Sequence, residues 1–152
     1  MGRPNKLVKM MATTLPTKTD FKKKLFSPTL DIAYETFDIL NKHIFGNDLK
    51  RCPIVIKRLR MAWGWCDGRT SPDGDFYTHE ITILPRHGCL QWFATILAHE
   101  MVHHWQWSIL SNERYEQGIS FSKAAIMSHG PSFYKWKNPL ETYGIPLNTG
   151  YR

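Results

Sequence analysis

At 152 residues, with 42% apolar residues and six tryptophans, the chain is long enough for one domain whose core needs no covalent staples. Cys52, Cys66 and Cys89 are odd in number and have no C-x-x-C spacing, which excludes a disulfide framework or a zinc ribbon and suits a reducing cytosol. The formal charge is +7, and six of those seven net charges fall in residues 1–24, where Arg3, Lys6, Lys9, Lys18, Lys22, Lys23 and Lys24 face Asp20 alone.

That basic stretch is expected to be a flexible arm, residues 1–27, ahead of a single domain at 28–152. A basic arm on a near-neutral body can track a polyanion such as DNA, or it can serve only as a solubilising tail. No apolar run approaches membrane-spanning length, so no membrane partner is expected. Lys9, a Thr pair and Pro16 interrupt any continuous apolar signal region, so secretion is not expected either.

In chain order, Ser27-Pro28 reads as a helix start, with serine as the cap and proline at the first helical position. Leu30, Tyr34, Phe37, Leu40 or Asn41, and Ile44 follow one stripe, and Gly46 closes the helix. Ile54–Ile56 and Met61–Cys66 read as β-strands. In the second, Trp63 and Trp65 share a face, while Ala62 and Gly64 leave the other face open to close approach. Residues 67–78 are polar, with Pro72-Asp73-Gly74 as a turn. His79–Leu84 reads as a strand at a sheet edge where an extended peptide could lie.

The run from Leu90 to Trp107 has no Pro or Gly, and Leu90, Phe93, Ala94, Leu97, Met101 and Trp105 recur at helical spacing. Within it stands His99-Glu100-Met101-Val102-His103. On a helix, His99 and His103 stack about 6 Å apart along the axis, so their imidazoles can share one tetrahedral cation, with Zn²⁺ suited to nitrogen ligands. Glu100 can reach a water beside that cation without ligating it, which is the zinc-peptidase arrangement with the glutamate as general base. Buried in so apolar a helix without a partner, the two imidazoles and the carboxylate would be costly.

Past Trp107 the pattern loosens. Residues 111–120 are polar with a turn at Gly118, Phe121–Met127 suits two helical turns, and Pro131 suits another helix start. Phe133, Trp136 and Leu140 carry an apolar stripe that Pro139 must kink or restart. A catalytic zinc takes three protein ligands and keeps one position open. The remaining candidates are His104, His129, Glu113 and Glu116. His104 points about 100° away from His103 around the helix and cannot reach the same ion. Glu113 and Glu116 sit on a stretch that reads as solvated surface, and His129 precedes a glycine that permits close backbone approach. His43, His79 and His87 read as surface or hydrogen-bonded structural residues, and Tyr115 and Tyr134 are candidate oxyanion stabilisers.

Taken in order, Ile44-Phe45-Gly46-Asn47-Asp48-Leu49, Met61–Cys66, Ile81–Leu84, Leu97–His103 and His129-Gly130-Pro131-Ser132-Phe133 resemble the SprT-like metalloprotease domain, the family of bacterial SprT proteins and of Spartan, a DNA–protein crosslink protease. The likeness spans residues 30–143. It implies an α+β, zincin-like core, a small antiparallel-type sheet packed on the helix that carries His-Glu-x-x-His, zinc on His99, His103 and His129, and Glu100 as catalytic base. The implied function is a zinc endopeptidase with protein or peptide substrates, including proteins bound or crosslinked to DNA. The His103–His129 linker is longer than the family's, so an insertion is expected over or beside the cleft. The chain also lacks the cysteine-rich zinc ribbon of many members, and so short a member suits the cytoplasm of a bacterium or a phage-infected host. The competing class is a nucleic-acid-binding or virion-associated module with a structural zinc, which has no use for a general base at Glu100.

Overall fold

The structure is a computed structural model and describes residues 26–148. Phe26 pairs its backbone with His87 in both directions, Phe26 N–H to His87 O at 2.8 Å and the reverse at 2.9 Å. That pairing keeps the chain extended through Ser27 and Pro28, so the first helix starts later than those residues suggest. Helix α1 is Leu30–His43, capped by Thr29, whose Oγ1 accepts from the Ile32 N–H. It buries Ala33, Phe37, Leu40 and Asn41. Asn41 is satisfied on both sides by the Leu49 backbone and so ties down the turn after the helix. Gly46 and Asn47 adopt left-handed backbone there, with φ of 63° and 61°.

Strands β1 (Ile54–Ile56), β2 (Gly64–Thr70) and β3 (Phe76–Ile83) form one sheet in the order β1-β3-β2. β2 and β3 are an antiparallel hairpin around the turn at Ser71–Asp75, with an irregularity at Asp67/Gly68. β1 lies parallel to β3, Ile54 opposite Ile81. The fold is thus mixed α+β, and the sheet is mixed rather than purely antiparallel.

Three strand expectations need correcting. The strand expected over Met61–Cys66 begins only at Gly64. The polar stretch 67–78 is mostly strand, because alternate residues of a hairpin can face solvent. β3 is the central strand, not an edge. Its consecutive buried residues Ile81, Thr82 and Ile83 reflect neighbours on both sides and a helix beneath. Among the described strands the free edge on the hairpin side belongs to β2.

Helix α2, Leu90–Trp105, begins at Cys89, whose Sγ accepts from the Trp92 N–H, and lies buried along nearly its whole length. It does not stop after Trp107. The helix widens into a π-helical turn, Gln106–Leu110, and continues as α3, Ser111–Glu116, closed by Gly118 at φ 72°. One cause of the close fit to the sheet is Gly68, where a Cβ would lie 2.5 Å from the Trp107 ring. The short helix α4, Lys123–Ile126, is capped by Ser122 and is only part of the two turns expected at 121–127. Helix α5, Pro131–Tyr134, has proline at its first position as expected. The chain restarts as α6, Lys137–Thr142, with Pro139 in the first turn, where a missing N–H leaves no helix bond unmade. No described helix is long and apolar enough to cross a membrane.

Candidate metal centre

His99, His103 and His129 come together although 26 positions separate the last two in sequence. His99 and His103 project from one face of α2, and the loop before α5 brings His129 over them. Nε2 of His129 lies 3.2 Å from Nε2 of His103 and 3.3 Å from Nε2 of His99. Four ligands at the tetrahedral zinc–nitrogen distance of about 2.0–2.1 Å would sit roughly 3.3–3.4 Å apart, so the spacing fits one such ion. Phe133, fully buried, packs against all three rings, with centroids at 4.9, 5.2 and 4.6 Å from His99, His103 and His129.

Hydrogen bonds orient two of the rings. Nδ1 of His103 lies 2.7 Å from Oε1 of Gln106, and the His99 ring bonds the Asn148 backbone. Burial is the main cause that drives all three imidazoles below the usual histidine value. His99, further lowered by its two histidine neighbours, falls to about 3, and His103 falls to about 4. At neutral pH all three are therefore uncharged, the form that offers a lone pair to a cation.

A cleft of about 580 Å³ opens over this cluster. β2 forms one wall through Gly64, Trp65 and Cys66, and Lys123, Ala124 and Met127 form the other. Lys123 ties the walls together through a 2.6 Å bond from Nζ to the Gly68 carbonyl. Residues between His103 and His129 thus build the cleft's second wall. Glu100 lies on the floor, 6% exposed, against Gly64: a Cβ there would sit 3.0 Å from Glu100 Cγ and 3.1 Å from Oε2. Burial raises its carboxyl to about 8.

The other candidates lie elsewhere. His104 turns to the opposite side, bonded to Thr78 Oγ1 and the Lys50 carbonyl. Glu113 and Glu116 are on α3 and take no part in the cluster. His87 is buried and bonded to the Leu84 carbonyl, and His79 sits beside Glu80. Neither Tyr115 nor Tyr134 lines the cleft. Cys52 and Cys66 are buried thiols, raised by burial to about 12 and well above the ordinary value respectively, which makes them inert. Gln106 and Phe133 were not identified as site residues from the sequence. The only pointer to Gln106 is its place three positions beyond His103, on the same helix face. No protein-family model matches the chain, and no curated protein matches it.

Proposed function

We propose that the protein is a zinc-dependent endopeptidase of the SprT-like type, with His99, His103 and His129 as metal ligands and Glu100 as general base. One observation carries the reading: three neutral imidazoles converge at ligand spacing beside a buried carboxylate on the floor of an open cleft. A zinc ion held there would polarise a scissile carbonyl and bring the pKa of an attacking water from about 15.7 towards 7. Glu100 takes the proton from that water as its oxygen bonds to the carbonyl carbon, then hands it to the leaving nitrogen as the C–N bond breaks. Burial raises its carboxyl in the metal-free protein, and a zinc ion beside it would favour the carboxylate form that accepts the proton. Gly64 lets the strand approach the carboxylate closely.

The substrate is an extended segment of protein that adds to the free edge of β2, beside the ligands. The family resemblance extends the proposal to DNA-bound proteins, with the basic residues 1–24 as the nucleic-acid contact. That arm lies outside the described residues. Elemental analysis of purified protein, combined with casein and histone cleavage in the presence and absence of a chelator and DNA, tests the reading. About one zinc per chain and chelator-sensitive cleavage are expected. Folded protein without zinc would sink it.

A further inference from the structure

Gln106 is fully buried, yet it is the residue where the helix leaves its regular course: its carbonyl accepts from the Ser111 N–H, five residues on, and from Ser111 Oγ. π-helical turns of this kind are frequent at functional sites. Three residues past His103, the Gln106 side chain rises on the same face as that ring. Its amide nitrogen donates to the Ser128 carbonyl at 2.9 Å and to Ser132 Oγ at 2.9 Å, on either side of His129. A carbonyl can only accept, so the amide nitrogen must face Ser128 and Oε1 must face His103. Nδ1 of His103 therefore carries the hydrogen of the 2.7 Å bond, and Nε2 presents its lone pair to His129 Nε2, 3.2 Å away.

We infer that Gln106 is a positioning residue with two jobs: it holds His103 in the Nδ1–H tautomer, and it seats the loop that carries His129. One side chain thus aligns a ligand on the helix with a ligand on the loop. The inference rests on the metal-centre reading but is tested separately from it.

The test compares wild type with Gln106→Leu, Gln106→Glu and Ser132→Ala. Zinc affinity is read by competition with a chromophoric chelator. The His103 tautomer is read by ¹⁵N NMR of the metal-free protein, and folding is checked by circular dichroism. Gln106→Leu removes both jobs. Zinc affinity is expected to fall about 10- to 100-fold, and His103 should gain the Nε2–H form. Gln106→Glu still accepts from Nδ1–H but cannot donate to Ser128. The tautomer should stay as in wild type while zinc affinity falls by less than in Gln106→Leu. Ser132→Ala should show a smaller loss again, with no tautomer change. A folded Gln106→Leu with unchanged tautomer and zinc affinity within about twofold of wild type would overturn the inference. If that variant fails to fold, unchanged affinity in both Gln106→Glu and Ser132→Ala would overturn it. Wild type that binds no zinc would defeat the metal-centre reading, and the tautomer comparison would still decide what Gln106 does.

Discussion

Gly64→Ala is expected to separate the placement of Glu100 from the binding of metal. The added Cβ would lie 3.0 Å from Glu100 Cγ, 3.1 Å from its Oε2 and 3.1 Å from Ile96 Cγ2. Such contacts are tighter than ordinary van der Waals packing, so the neighbours must withdraw by a few tenths of an ångström. Ile96 is packed in the core and cannot give, which leaves the carboxylate to move. Displacing a reacting group by about 1 Å can cost on the order of 100-fold, so a shift of a few tenths should lower cleavage roughly 3- to 10-fold. Overpacking should cost about 1–3 kcal/mol of stability, a fall in Tm of some 2–10 °C. The atoms nearest the new methyl belong to Glu100 and Ile96 and not to the three ligands, so zinc content should be unchanged. Gly88→Ala is the control, because a Cβ there meets nothing within 4 Å. The assay is the initial rate of casein cleavage at equal zinc loading. A Gly64→Ala protein as active as Gly88→Ala would refute the tight seat proposed for Glu100.

His129→Ala should weaken zinc binding by more than the roughly 10- to 100-fold typical of losing an outer partner, whereas Glu113→Ala and Glu116→Ala should leave it unchanged. Chelator titration decides this, and the reverse pattern would remove His129 from the ligand set. In zinc-free protein, burial lowers His87 and His104, and it takes His99 to about 3 and His103 to about 4. The unfolded chain takes up those protons first, near pH 6.5, so this stability is lost as pH falls below that value. Glu100, raised to about 8, opposes the trend, because its contribution is present in acid and lost as pH rises through 8. With His129, also lowered by burial, five histidines outweigh one carboxyl, so Tm should fall by about 5 °C or more from pH 7 to pH 5. A flat or rising Tm in thermal melts would contradict that balance. Removing residues 1–24 should lower DNA affinity and flatten its salt dependence, since seven cationic side chains go. Unchanged affinity and salt slope in a binding titration would leave the arm a solubility device.

The features legible in the sequence were those set by local spacing. The helix from Leu90, the shared face of His99 and His103, the turning away of His104 and the open face at Gly64 all follow from residues a few positions apart. His129 was a different case: it became the favoured ligand through the family resemblance, because no spacing rule links it to a helix 26 positions earlier. Sheet order was also hidden. Two strands that pair across 27 positions, as Ile54 and Ile81 do, leave no local mark. The alternation of Ile81, Thr82 and Ile83 reads as a strand with one wet face, so the burial of Thr82 in a central strand leaves no mark in the sequence. At the first helix, Ser27 and Thr29 offer the same capping chemistry, and the choice fell to a distant partner, His87, which holds Phe26 extended. Gln106 escaped notice because its partners, Ser128 and Ser132, meet it only after the chain folds back.

The most direct test of the central claim is the pair of wild type and Glu100→Gln, measured together for zinc content and for cleavage of casein and histone. Glutamine keeps the size of the side chain but cannot take a proton from water. Glu100 is not among the three converging ligands, so about one zinc per chain should remain in both proteins. Cleavage should fall by at least about 10²- to 10⁴-fold, the usual worth of a general base. Equal cleavage by both proteins, or no cleavage by zinc-loaded wild type on free and DNA-bound substrates alike, would contradict the peptidase reading.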